Sequence, residues 1–330
     1  MKNFKSIPAV VLLFILIGTG CNAQRSGNEI SGPFAANLNR EFELGKERTP
    51  EKQYYVITTR IFHYALDGKR TREDILTLHL EATPGKLSGK NGDEYVCRKF
   101  TVQRGTDAQA SIPDLEGWVY IYRFGQDEQG QVFGIDHGRF ENLKNDKGQP
   151  FPPDFSYFIY NTFIDFHGFC DAFANKIEGE KGIQDLKKIG DKIVHAAAFS
   201  EPPVNLGSNV AEGSTFKNGE VTLEFKGLSL VDNRLTFVVE FDSGESSFHM
   251  IMQPMPDLSI ETTGSSHYKG DLYIDMESYW VRKVVMWEMV VSETTMPMPP
   301  HKVNGVVERE TTIRNLDRAD FLEAVAKAGQ

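Results

Sequence analysis

Cysteine is scarce in this chain: three residues in 330, at positions 21, 97 and 170. That count excludes a disulfide-dense scaffold, which needs several bridges in place of a sufficient core. Long apolar stretches are missing as well. The run at residues 9–17 is nine residues long, whereas a helix needs about 20 to cross a bilayer. Positive charge is in deficit, with 36 Lys and Arg against 46 Asp and Glu and a formal net charge of −10. Nucleic-acid binders concentrate Lys and Arg to meet phosphates, so no nucleic-acid partner is expected, and charge-driven adhesion to anionic lipid is disfavoured. Motifs of catalysis are absent too: no G-x-S-x-G elbow, no P-loop, no G-x-G-x-x-G at a strand–helix junction, no H-E-x-x-H and no Cys pair at metal spacing. Nothing positive argues for an enzyme, and no cofactor is expected.

What is present begins with an export signal in residues 1–20. Lys2 and Lys5 give the positive start and residues 9–17 the apolar core. Two exits fit the flank. Gly20-Cys21 resembles a bacterial lipoprotein cleavage site, with Cys21 lipidated, although Gly18 stands where that motif usually carries Leu. The other is cleavage after Ala23, with Cys21 and Ala23 as the small residues of an A-x-A-like site. Either leaves Cys97 and Cys170, an even pair that in an oxidising compartment is a disulfide candidate; two buried free thiols are the alternative. Residues 21–50 are polar without sustained period and read as a flexible tether. The expected location is the periplasm or the outer membrane, through an N-terminal lipid anchor, or alternatively outside the cell.

The body reads as α+β, dominated by β. Residues 54–66, 75–80 and 95–102 alternate like strands, with Asp67-Gly68-Lys69-Arg70 and Pro84-Gly85 as turns, and 118–122 with 132–135 flank a hairpin turn at 127–130. After Pro152-Pro153 the period changes: positions 155, 158, 159, 162, 163, 166, 169, 170, 173 and 177, apolar except for Thr162, share one helical face. That predicts a helix over about 153–177, and a second helical stretch is expected at 183–193. Beyond Glu201-Pro202-Pro203 strands resume at 221–225, 235–241, 247–252, 272–276, 281–291 and 306–313, and 320–328 reads as a closing helix with Asp317 as its cap. The expectation is therefore curved antiparallel sheet with one buried aromatic helix, divided as 51–200 and a Met-rich 204–330, which together can form one continuous domain.

Three features bear on function. The aromatic helix carries Tyr157 and Tyr160 opposite a face of Phe and Ile that includes Phe163. A helix apolar on both sides is buried on both sides, either as core or lining a cavity with Tyr hydroxyls as polar handles. Second, every Met but the first lies between 250 and 298, and strand 281–291 is apolar on both faces, Met286 on one and Trp287 and Met289 on the other. Met is flexible and polarisable and suits varied apolar partners. The same residues permit a copper reading: His249, Met250, Met252 and Met255, and again Met296, Met298 and His301, set thioethers beside imidazole. Third, His167 and Asp171 are four apart, within hydrogen-bond reach on a helix, with Asp165 nearby. Gly264-Ser265-Ser266-His267 lacks elbow spacing and reads as a loop.

An export signal, curved antiparallel sheet, internal helix and a late strand pair (Gly270-Asp271-Leu272-Tyr273-Ile274-Asp275 running into 281–291) together resemble the bacterial lipoprotein-carrier proteins. That resemblance implies an open half-barrel sheltering acyl chains, and it carries over no site residue. The expected function is accordingly a non-enzymatic envelope protein holding an apolar ligand such as lipid. A packed structural module of the envelope is one alternative, and a metal-handling or hydrolytic protein is another.

Overall fold

Every second side chain from Gln53 to Thr59 is buried, and this alternation makes the first strand, β1 (Gln53–Tyr64). Asp67 and Gly68, the latter at φ +81°, then reverse the chain into β2 (Arg70–Thr83). The computed structural model describes residues 40–122, 135–151, 153–177, 179–197, 199–200, 210–255, 257–299 and 301–328. Within them follow β3 (Asp93–Arg104), β4 (Ala110–Ser111), β5 (Val119–Tyr122), β6 (Lys192–His195), β7 (Phe199–Ser200), β8 (Thr215–Lys217), β9 (Val221–Val231), β10 (Arg234–Asp242), β11 (Ser246–Met255), β12 (Leu258–Asp275), β13 (Val281–Thr295) and β14 (Lys302–Asn315). All described pairings are antiparallel, and the main path runs β4-β3-β2-β1-β14-β13-β12-β10-β9-β6. β1 pairs with β14, so segments 51–200 and 204–330 share one curved, open sheet. The β9–β10 hairpin turns on Asp232 and Asn233, both at positive φ, the combination a two-residue turn between right-twisted strands requires.

The aromatic helix (Pro153–His167) continues through one π-helical turn, Gly168–Ala172, against the inner face of this sheet. Phe166 meets Tyr55 of β1 and Tyr95 of β3 at 5.0 and 5.7 Å, and Phe169 stacks on Phe241 of β10 at 4.8 Å. Gly270 on β12 is where Phe241 lies: a Cβ there would stand 2.8 Å from its ring and 1.9 Å from the Val285 carbonyl. The C-terminal helix (Arg318–Lys327) buries Phe321 against Tyr54, with ring centroids 5.3 Å apart.

Several expectations change. Residues 40–50, read as tether, pack into the body, with Phe42 and Leu44 buried. The stretch 183–193 is a 3₁₀ turn, Ile183–Asp185, followed by β6, because Gly190 and Asp191 are drawn into backbone hydrogen bonds with Phe225. Asp317 stands at the helix N-cap but its side chain makes no capping bond. Gly264-Ser265-Ser266-His267 is the middle of β12, with residues 264–266 paired to both β11 and β13 and His267 paired to β13, and Phe248 fills the space above Gly264. Cys97 and Cys170 are free and buried rather than bridged. Cys97 sits by Tyr120 and Glu116, Cys170 by Tyr55 and Arg48, and burial pushes both thiols up. The signal, Cys21, the tether to residue 39, the 127–134 part of the hairpin and the 201–203 boundary lie outside the described residues.

Candidate functional site

The six residues expected to line one cavity fall on three different surfaces. Phe163 is fully buried, stacked on Phe100 at 5.9 Å with Phe140 and Trp118 edge-on at 5.3 and 5.5 Å, and Tyr160 packs on Phe140 at 5.3 Å. Met286 also faces inward and is buried. Tyr157 is half-buried beside the side chains of Arg309 and Asp165. Trp287 and Met289 point to the opposite, outer face of β13, as period-two alternation from Met286 requires. The interior around Phe163 is thus interlocked aromatic rings.

Two buried polar networks hold the helix. In the first, the Asp171 carboxylate accepts from His167 Nδ1 at 2.7 Å, from Tyr95 Oη at 3.0 Å and from Arg48 at 2.7 Å. With its proton on Nδ1, His167 accepts at Nε2 from the Tyr120 hydroxyl at 2.9 Å, and Tyr122 stacks on the imidazole at 4.0 Å. Arg48 also donates to the Cys170 carbonyl and lies 4.3 Å over Trp280. Burial pushes the His167 pKa down, so it stays neutral; burial would push Asp171 up, but the Arg48 charge and the His167 bond outweigh it and hold the carboxyl low. His167 and Asp171 are both about fully buried. An Asp–His–Tyr chain of this kind has catalytic residue types, yet its ends are spent on Arg48 and on buried tyrosines. It serves as a scaffold.

The second network joins the helix to β13 and β14. Arg309 donates to Glu288 at 2.6 Å and to Asp165 at 2.5 Å, so two carboxylates share one guanidinium, with Tyr157 and Tyr268 beside them. Burial pushes the Asp165 carboxyl up to about 6, with Glu288 adding to the rise against the pull of Arg309. Because the folded state holds this proton more tightly than the unfolded chain does, protonation favours folding. The stability of wild type relative to Asp165→Asn is therefore expected to fall as pH rises from about 4 to about 6. Urea midpoints of both proteins across that range measure it, and a difference that stays flat or grows would refute the assignment.

Among the copper candidates, the His249 imidazole and the Met250 and Met252 thioethers are divided between two faces of one strand. His249 lies 3.5 Å from Glu261 on one face of β11, Met250 and Met252 occupy the other by alternation, and Met255, past a register shift, is exposed. Among the described residues no group of three or more His, Cys, Asp or Glu is placed to hold a metal ion.

Sequence reading did not find the outer face of the long strands. There Ser265, Val291, Val306 and Tyr64 sit opposite one another across β12, β13, β14 and β1. A groove of about 430 Å³ opens on this face, with Leu66, Val291 and Val306 as its apolar side chains. Leu66 is 72% and Val291 46% exposed. Met289 and Trp287 follow at alternate positions on the same face of β13, and Trp287 and Tyr64 are held by Glu308, at 2.5 and 2.6 Å. The signal was available in strand 281–291, apolar on both faces, because the face turned from the core must meet either water or something else.

No protein-family model matches this chain, and no curated protein matches it. Among solved structures the chain is similar to OmpTdeltaL8, the loop L8 deletion mutant of OmpT, an outer membrane protein of Vibrio cholerae, at 11% identity over 80% of this chain and 99% of that chain, with a TM-score of 0.14. A likeness at that level carries no argument about function.

Proposed function

We propose that this chain is an exported, non-enzymatic envelope protein that takes an apolar chain of the lipid acyl type into the outer groove of β12, β13 and β14. The observation that carries this reading is the groove itself: about 430 Å³, within the size range of small-molecule sites, lined by the apolar side chains of exposed Leu66 and Val291 and of half-buried Val306. Trp287 and Met289 extend the apolar face along β13, where a flexible thioether and a ring can adapt to a disordered chain. Export and anchoring rest on the Lys2–Lys5 start, the 9–17 core and Cys21.

The test is titration of the purified chain with a fluorescent fatty acid. Saturable binding is expected, weakened at least about tenfold by Val291→Asp, which puts a charge into the apolar contact. Its exposed position leaves the fold otherwise unchanged. Absent binding, or binding that Val291→Asp leaves intact, would overturn the reading.

A second reading draws on the interlocked interior. Met255 at 57%, Met298 at 53% and Val303 at 43% exposure add apolar surface on β11, on the turn between β13 and β14 and on β14, so this part of the sheet can serve as a contact face for another envelope protein. Pull-down without lipid uptake would favour that reading.

A further inference from the structure

The two hairpin turns of the long strands project from one end of the sheet. Glu261 pairs with Thr295 and Thr295 with Lys302, so the β11–β12 turn, past Met255, and the β13–β14 turn, past Thr295, stand side by side. This end lies beyond the core: among the described residues the buried cluster takes none from 250–264 or 291–305. Its surface is apolar all the same. Met255 and Met298 are exposed on the turns and Val303 on β14, with Leu258, Ile260 and Met296 half-buried beside them. Acid is nearly missing here. Residues 250–260 and 294–303 carry one, Asp257, in a chain with 46. The β13–β14 turn also closes on itself, Met296 N–H donating to the His301 carbonyl at 2.7 Å and His301 N–H to the Met298 carbonyl at 2.9 Å. Pro297 and Pro299 have no N–H to leave unsatisfied, so the turn carries fewer backbone donors to desolvate in an apolar medium.

We propose that these two turns dip into the head-group and outer acyl layer of a zwitterionic lipid surface, seating the chain on a membrane by its Met-rich end. The inference does not depend on the outer groove holding a ligand. Two observations favour lipid over a protein partner. Val303 lies on the inner face of the sheet and Val291 on the outer, so apolar surface wraps both faces of this end, whereas a protein contact of ordinary kind uses one. The scarcity of acid is the second. The net charge of −10 repels anionic surfaces, but this end brings almost none of it to the interface, and flexible thioethers adapt to disordered acyl chains. Attraction is therefore apolar rather than ionic.

Oxidation footprinting of the full chain tests this, because each exposed thioether reports its own surroundings and a lipid on Cys21 cannot imitate the result. Chloramine-T, a charged oxidant that a bilayer excludes, converts exposed Met to the sulfoxide, and peptide mass spectrometry locates it. Phosphatidylcholine vesicles in excess are expected to slow oxidation of Met255 and Met298 at least about fivefold, while half-buried Met276, past the opposite end of β12, keeps its rate. Protection should survive about 1 M salt, since apolar contact supplies it. It should survive Val291→Asp as well, which separates the inference from acyl binding in the groove. Met298→Asp should abolish protection at Met255, and its exposed position leaves the fold otherwise unchanged. Equal rates with and without vesicles, protection lost at high salt, or protection of Met255 persisting in Met298→Asp would overturn the proposal.

Discussion

Arg309→Met is expected to destabilise the protein by about 3–5 kcal/mol at pH 7, because it strands Asp165 and Glu288 as neighbouring carboxylates against the helix. The loss is charge, not volume: Met fills the stem of the arginine. Two consequences separate this account from a simple packing defect. Acidification should restore much of the lost stability, since the carboxyls neutralise on protonation. The triple variant Arg309→Met, Asp165→Asn, Glu288→Gln should recover most of it at pH 7, since no unpaired charge remains. Urea unfolding at pH 5 and pH 7 measures each variant. A loss under 1 kcal/mol would show that water reaches the cluster freely, at odds with side chains that are 10–13% exposed.

Phe163→Ala is expected to cost about 3–5 kcal/mol and to leave acyl-probe affinity unchanged. Its ring touches Phe100, Trp118, Tyr120 and Phe140. Removing it leaves a hole that a fixed sheet and helix close only in part. The second half of the expectation matters more. Were the helix the wall of a ligand chamber, truncation would change uptake with a modest stability loss. Full destabilisation with intact uptake places the ligand surface outside. Chemical denaturation and the same fatty-acid titration decide it.

Much of this fold is legible residue by residue. The Tyr55-Ile57-Thr59 alternation gives β1, and the 3.6-residue recurrence through Phe155, Ile159, Phe163 and Phe166 gives the helix and its inward face. His167 and Asp171 could be paired by spacing alone. Arg48 could not, since it lies 123 residues away in a stretch that looks like linker and is ordered by tertiary contacts. The 264–267 part of β12 reads as a loop in the sequence for a related reason. Gly264, Ser265 and Ser266 have low strand preference, and pairing to β11 and β13 with the Phe248 ring overhead supplies what their side chains do not. Arg309 is the instructive miss. In Glu308-Arg309-Glu310 nothing marks one charge as inward, yet counting back by twos from buried Ile313 and Thr311 puts 309 on the core face. The groove was hidden because it is a property of three strands and a turn, Leu66 arriving from outside the sheet rows.

The central claim, that an apolar chain lies on the outer face of the long strands rather than inside the aromatic core, is tested most directly by native mass spectrometry. The measurement compares wild type, Phe163→Leu and Val291→Asp, each recovered gently from an envelope fraction. The expected result is an added mass of lipid size, removable with organic solvent, on wild type and Phe163→Leu and missing from Val291→Asp. A bare polypeptide mass for wild type, or a lipid mass that survives Val291→Asp and disappears with Phe163→Leu, would contradict it.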